Sequence, residues 1–217
     1  VYDRAPHQAA PGKLVATLDS EQTTRLEYDA RGRVVRRSVQ LAQPTARRDG
    51  VGDRYTEHVF TKSYRYDDGD RVLEESTGAE SAPLLDVSGQ SFISYGYTRR
   101  GLLREVGSSY GPLLRELAYD ALGRQVRTVY GDAASTTTTV SYNARELLER
   151  VQTRRDALPP PRGVANPDEP TRQLVVHDSE IASYDLRGSP LSILDNRAPA
   201  DWPSGAKPVS RAYAYDD

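Results

Sequence analysis

The chain repeats one short motif, in which a tyrosine and an aspartate are followed by a tight turn and then by a strand rich in arginine and valine. Two copies are complete: Tyr28-Asp29-Ala30-Arg31-Gly32-Arg33 and Tyr119-Asp120-Ala121-Leu122-Gly123-Arg124. Looser copies begin at Tyr66, Tyr97, Tyr142, Tyr184 and Tyr215. Tandem repetition at periods of about 20–50 residues indicates a repeat architecture, in which each copy serves mainly to stack on its neighbours. The repetition therefore favours a structural chain over a catalytic one.

The copy that begins at Tyr119 predicts antiparallel hairpins. Residues 113–119 alternate between apolar and polar side chains, which is typical of a strand. Residues 120–123 fit a type I turn that ends in a left-handed glycine, the hairpin connection with a G1 bulge. A return strand over 124–130, a second turn over 131–135 and a strand over 136–142 complete the unit, which recurs after 23 residues. We therefore predict an all-β fold, an antiparallel meander of hairpin repeats that forms part of a β-solenoid or hollow shell.

Apolar doublets after the turns interrupt the alternation. Examples are Val34-Val35, Val72-Leu73 and Leu147-Leu148. Two explanations are open: a bulge shifts the register of the strand, or the second face of the sheet is partly covered.

The spacing between anchor tyrosines varies from 22 to 42 residues, so some copies carry insertions. Turn-rich segments near 44–54, 78–90, 158–172 and 196–208 are the predicted insertions, and we expect them to project from one rim. We predict one repeat array over residues 1–217, truncated at both ends, and expect the chain to be a piece of a longer protein.

Composition excludes several classes of protein. Tyrosine (14) outnumbers phenylalanine (2), and the mean hydropathy is −0.68. Both values favour partly solvent-exposed aromatic faces over a deep hydrophobic core. A net charge of −2 lacks the basic excess of a nucleic-acid binder. The absence of cysteine excludes disulfides and thiolate metal sites, and no apolar run is long enough to predict a membrane span.

The tandem motif resembles the YD repeat of the Rhs family, which includes bacterial Rhs toxins, shell components of insecticidal toxin complexes, and teneurins. The resemblance extends from about Leu14 to Asp217, with departures: Asp70 holds the glycine position after Tyr66, and Asn143 and Glu146 replace the aspartate and glycine after Tyr142. It implies a long β-sheet wound into a shell around a C-terminal toxin or effector domain. The implied partners are flanking repeats and that enclosed domain, and the implied location is secreted or cell-surface.

Family members that release their cargo carry an aspartate-based self-cleavage core with an Asp-Pro-x-Gly signature. This sequence contains no Asp-Pro dipeptide. We therefore predict no catalytic residue here.

Two other clusters contain chemically active residue types. His177-Asp178-Ser179-Glu180 has the side chains of a catalytic triad, but neighbours in an extended strand point to opposite faces. Asp67-Asp68-Gly69-Asp70 could bind calcium, yet it lacks the spaced ligands of an EF-hand, so a solvated turn is favoured. We predict no cofactor and no metal.

The motif residues themselves are predicted to be structural. Arg33, Arg71 and Arg124 could bind an anionic partner, but pairing across strands with acidic residues is favoured. The tyrosines could form a sugar-stacking platform, but a cross-strand ladder is favoured. Asp29, Asp120 and Asp185 should cap turns, and Gly32, Gly123 and Gly188 should have positive φ. The predicted motif set is Tyr28, Asp29, Gly32, Arg33, Tyr66, Asp67, Tyr97, Gly101, Tyr119, Asp120, Gly123, Arg124, Tyr142, Tyr184, Asp185 and Gly188.

The sequence thus predicts a non-enzymatic wall segment of a larger Rhs-type protein that encloses or displays another domain. The alternative is a cell-surface adhesion or carbohydrate-binding module that uses the long loops or exposed tyrosines to bind a carbohydrate or receptor. An enzyme, such as a hydrolase, would need a pocket of convergent groups, and no motif indicates one.

Overall fold

A computed structural model describes residues 12–41, 58–156, 174–202, 205 and 209–216. The predicted all-β, antiparallel meander is confirmed: the strands of the described residues follow one another in the sheet in their chain order, without a crossover. In the described ranges, no helix is both long enough and apolar enough to cross a membrane.

Contacts divide the chain into two compact units, of which the first ends at Gly96 and also includes Gly107–Tyr110. Within this unit each strand pairs antiparallel with the next. Its strands are β1 (Ala16–Leu18), β2 (Gln22–Tyr28), β3 (Val34–Leu41), β4 (Val59–Tyr66), β5 (Val72–Ser76) and β6 (Phe92–Tyr97), the last of which ends one residue beyond it.

The second unit comprises Tyr97–Val106 and the chain from Gly111 onwards. It contains most of β7 (Leu103–Ser108) and then β8 (Gly111–Tyr119), β9 (Gln125–Tyr130), β10 (Thr137–Tyr142), β11 (Leu148–Arg155), β12 (Leu174–Tyr184), β13 (Pro190–Asp195) and β14 (Arg211–Ala212). From β8 onwards each strand pairs antiparallel with the next. The three strands predicted between residues 113 and 142 correspond to β8, β9 and β10.

Bulges at the anchor tyrosines explain the apolar doublets. Tyr28 lies opposite Val34 and Glu27 lies opposite Arg36, so Val35 is an extra residue in β3. The register shifts in the same place, just before Tyr66, Tyr119, Tyr142 and Tyr184. Of the two explanations, the bulge is therefore correct.

Two of the predicted insertions lie at least partly within the described residues. The segment near 78–90 holds a 3₁₀ turn at Ala82–Leu84 and a hairpin-type turn from Asp86 to Gln90. The segment near 196–208 begins with a 3₁₀ turn at Pro199–Asp201. The segments near 44–54 and 158–172 lie outside the described residues. Among the described residues of each unit, the motif turns and the other connections alternate along the meander, so they occupy opposite edges of the sheet.

Few apolar side chains are buried. Among the described residues, only Val106, Leu117 and Ala134 qualify, and all three belong to the second unit. The buried polar residues are Thr24, Ser91, Thr128 and Asp178. Because so little apolar surface is removed from water, hydrogen bonds and ion pairs must supply much of the specificity of this fold.

Candidate functional site: a ladder of stacked turns

The motif turn is held by its own first residue. The N–H of Asp29 donates to the carbonyl of Arg33, and the N–H of Gly32 donates to the carbonyl of Asp29, both at 2.9 Å. The Asp29 carboxylate also accepts the backbone N–H groups of Arg31 and Arg33 at 2.9 Å. An aspartate in this position therefore satisfies turn donors that would otherwise face water, which is the reason the motif requires a short acceptor side chain.

The same backbone turn recurs after every anchor from Tyr28 to Tyr184. The positive φ predicted for Gly32, Gly123 and Gly188 is confirmed, with values of 78°, 83° and 94°. Gly101 has φ 82°. Two copies place non-glycine residues there, Asp70 at 64° and Glu146 at 63°. The left-handed conformation is thus kept even where glycine is lost, at a cost in backbone strain.

Each motif arginine pairs with the aspartate on the other side of its own turn. The Nε atoms of Arg33, Arg71 and Arg124 donate to the carboxylates four residues earlier at 2.7 Å. Hydrogen bonds from the Arg33 backbone and guanidinium outweigh burial and hold the pKa of Asp29 below its usual value. Burial raises the pKa of Asp120, but hydrogen bonds from Arg124 outweigh it, so the net shift is also downward.

Two of these arginines, Arg33 and Arg124, also reach forward to the next turn in their unit. The Nη1 atom of Arg33 donates to the Asp67 carbonyl at 3.0 Å and to Asp70 Oδ1 at 2.7 Å. Its guanidinium lies 4.7 Å from the centre of the Tyr66 ring. Arg124 repeats the arrangement, with Nη1 at 3.1 Å from the Glu146 carbonyl and the guanidinium 4.2 Å from the Tyr142 ring. Each arginine therefore links two successive copies through a hydrogen bond and a cation–π contact.

A second set of arginines, which the sequence analysis missed, makes the same forward link. Arg31, Arg100 and Arg145 lie three residues after their anchor tyrosines. Arg145 donates from both terminal nitrogens to the carbonyls of Asp185 and Leu186 at 3.0 Å. Arg100 contacts the carbonyls of Asp120 and Ala121 at 3.3 and 3.1 Å. Arg31 contacts the Asp68 carbonyl at 3.0 Å.

The anchor tyrosines reach backward. The hydroxyl of Tyr66 donates to the Val34 carbonyl at 2.7 Å, and that of Tyr215 donates to the Pro190 carbonyl at 2.8 Å. Tyr142 and Tyr184 make the equivalent bonds to the carbonyls of Gln125 and Leu148. In these four cases the acceptor lies six residues after an earlier anchor. Tyr28 donates to the Leu14 carbonyl at 2.7 Å. Burial raises the pKa values of Tyr66 and Tyr184.

The remaining anchors end their strands as the motif predicts: Tyr97 closes β6 and Tyr119 closes β8. Together, the forward arginines and the backward tyrosines form the turn ladder, which runs along the motif-turn edge within each unit. The ladder joins copies, because its arginines, and its tyrosines other than Tyr28, are bonded to a neighbouring copy.

The two other clusters are likewise occupied. Asp70 Oδ1 accepts hydrogen bonds from Arg31 at 3.0 Å and from Arg33 at 2.7 Å. Within the described ranges, no group of three or more histidine or acidic side chains has a metal-binding arrangement. His177 is exposed, whereas Asp178 is 3% exposed and held by Arg150 Nε and Nη2 at 2.6 Å. The two neighbours thus differ in environment, as residues on opposite strand faces do.

Comparison with known proteins gives a match in structure alone. No family model matches the sequence, and no curated protein is similar to it at a significant level. The crystal structure of TcdB2-TccC3-Cdc42 shares its fold with a TM-score of 0.67 and 20% identity over 95% of this chain. The Tc holotoxin pore of Photorhabdus luminescens with the TccC3 mutation D651A has a TM-score of 0.68 and 21% identity over 94%.

The chain corresponds to 9% of the length of each of those toxin chains. The likeness agrees with the all-β repeat fold that the motif predicts. At this identity, it is the fold that is shared.

Proposed function

We propose that this chain is a structural, non-enzymatic segment of the wall of a larger Rhs-type protein. The observation that carries the proposal is the turn ladder. Its arginines and tyrosines are used to join one copy to the next, which is the property a wall needs. The motif residues, from Tyr28 to Gly188, act in this proposal as turn and joint residues, and a single repeat array over residues 1–217 remains part of it.

The second part of the proposal concerns the domain that the wall encloses. The resemblance to Rhs proteins and the toxin complexes that share the fold both support a C-terminal effector domain of the same protein as the partner, together with flanking repeats. A secreted or cell-surface location follows from the same support. No cofactor is part of the proposed role.

The experiment uses the complete parent protein, with every domain that follows the repeats, under limited proteolysis. A ladder variant carries Arg100→Gln and Arg145→Gln, which removes two forward links. The control is Arg104→Gln, because Arg104 is exposed and its charged group pairs only with the adjacent Glu105 in the described structure.

In the wild type and the control, we expect the C-terminal domain to resist protease until the repeats are denatured. In the ladder variant, we expect it to be digested sooner. Equal digestion of that domain in all three proteins would contradict the enclosing role. A C-terminal domain displayed intact on the cell surface and always open to protease would favour adhesion.

A further inference from the structure

The first unit contains an open groove of about 660 Å³ that the wall function does not explain. Its lining comprises Arg37 and Val39 of β3, residues 58–65 along β4, Glu74 and Ser76 of β5, and residues 77–80 and 89–92 between β5 and the start of β6. The volume lies within the range of about 300–1,000 Å³ that is typical of small-molecule sites.

Two cations in the groove oppose each other. Arg37 lies directly opposite Lys62 in the register of β3 and β4, and both side chains line the groove. Like charges at directly opposed positions destabilise a sheet. Lys62 has only a long contact to Glu75, at 3.8 Å. The Arg37 side chain is exposed, and its guanidinium makes no ion pair or hydrogen bond in the part of the chain that the structure describes. An anionic group placed between them would relieve this repulsion.

The rings and hydroxyls of the groove suit a polar ring-shaped ligand. Phe60 is 39% exposed, and His58 packs against its edge with ring centres 4.6 Å apart. Phe60, Lys62 and Tyr64 alternate along β4, so they share one face. Ser91 is only 7% exposed and lines the groove, yet its hydroxyl makes no hydrogen bond within the described residues. This hydroxyl can therefore both donate and accept hydrogen bonds toward a ligand in the groove.

We propose that this groove binds a carboxylated saccharide, with the carboxylate between Arg37 and Lys62, the sugar ring against Phe60, and a sugar hydroxyl bonded to Ser91. A single-stranded nucleic acid would also offer rings and negative charge. However, Glu74 and Glu80 also line the groove, so the many phosphates of a nucleic-acid chain would meet more repulsion than a single carboxylate would, and both glutamates can accept hydrogen bonds from sugar hydroxyls.

The test is titration of the 217-residue chain with 3′-sialyllactose, with lactose as the neutral control ligand, followed by calorimetry or ligand-observed NMR. We expect saturable binding of sialyllactose and affinity for lactose lower by about tenfold or more, because charge-assisted hydrogen bonds are lost. Arg37→Gln should weaken sialyllactose binding by about the same factor. Lys62→Gln is the second variant, and circular dichroism verifies that each protein is folded.

Arg36→Gln is the matched control, since Arg36 adjoins Arg37 but does not line the groove, and its charged group lies 3.9 Å from Glu27. It should leave the affinity unchanged. The proposal is overturned if sialyllactose does not saturate, if lactose binds equally well, or if Arg36→Gln weakens binding as much as Arg37→Gln. Tighter binding of a thymidine oligonucleotide that displaces the saccharide would assign the groove to single-stranded nucleic acid instead.

Discussion

The intact turn after Tyr119 and the degenerate turn after Tyr142 have the same backbone but different side chains. The first uses Asp120, Gly123 and Arg124, and the second uses Asn143, Glu146 and Leu147. In both, the first residue donates its N–H across the turn at 2.9 Å and its side-chain oxygen accepts backbone N–H groups. The comparison shows that the turn needs a short acceptor and a left-handed residue, while the ion pair and the glycine are improvements on that minimum.

The loss of the motif arginine is compensated in the degenerate turn. Leu147 cannot make the forward link, but Arg145, two positions earlier, makes it to the carbonyls of Asp185 and Leu186. The link to the next copy is therefore retained although its residue has moved. The repeat keeps the arginine contact to the next copy, although the position of the arginine in the motif differs.

The largest effect is expected from Gly123→Val in the intact turn. The site has room for a Cβ, whose nearest neighbours would be 3.8 and 3.9 Å away. The loss of stability therefore comes from the backbone strain of valine at a φ of 83°. We expect a loss of about 2–3 kcal/mol of unfolding free energy, measured by urea denaturation. Glu146→Val, at a position that already lacks glycine, should cost less. Equal losses at the two positions would contradict the conclusion that glycine stabilises the left-handed position of the intact turn.

Next in size is the removal of a backward link by Tyr66→Phe. Its hydroxyl donates to the Val34 carbonyl at 2.7 Å and is partly buried, so we expect a loss of about 1 kcal/mol or slightly more. Tyr119→Phe is the control, because the Tyr119 hydroxyl has no hydrogen bond within the described chain. The two variants should differ in thermal unfolding, and identical midpoints would mean that the tyrosine hydroxyls do not join the copies.

Restoring glycine in the degenerate turn should stabilise it. Glu146→Gly removes a non-glycine residue from φ 63°, and we expect a gain of about 0.5–1 kcal/mol, after the greater entropy of glycine in the unfolded chain is subtracted. The measurement is the same urea titration. Destabilisation by this substitution would show that the Glu146 side chain contributes more than its backbone strain costs.

The smallest expected effect is on acid stability. The pKa of Asp120 is held below its usual value in the folded chain. Stability from this group is therefore complete above the unfolded pKa of about 3.9 and is lost as pH falls through the lower folded pKa. Asp120→Asn should make stability less dependent on pH below about 4, because it copies the neutral acceptor of Asn143. An unchanged pH profile would contradict a contribution from the Asp120–Arg124 pair.

The sequence predicted the parts of the fold that depend on neighbouring residues. Asp120, Gly123 and Arg124 specify their turn locally, and alternation specified β8. The forward role of Arg100 and Arg145 could not be predicted in the same way, since it depends on which turns stack in space, and the motif leaves their position unspecified. The Arg150–Asp178 pair joins residues 28 apart and carries no local signal.

One further turn also has a local signal in the sequence. Asp86 and Gly89 have the spacing of Asp29 and Gly32, and the Asp86 carboxylate accepts the N–H groups of Ser88 and Gln90 at 2.9 Å. Gly89 has φ 76°. Because this segment has no anchor tyrosine, the motif does not predict its turn, and its composition is that of an ordinary loop.

The tyrosine links point to the preceding copy and the arginine links point to the following copy. The order in which these links can form therefore follows the order in which the copies are synthesised. A newly synthesised copy finds the acceptor for its tyrosine already present on the copy that precedes it, whereas its arginine must wait for the copy that follows. We therefore expect assembly to proceed from the first copy to the last as the chain leaves the ribosome, with each hairpin added to an existing edge. A duplicated hairpin inserted in the gene would meet the same acceptors, so the number of copies can change in evolution without a redesign of the joints.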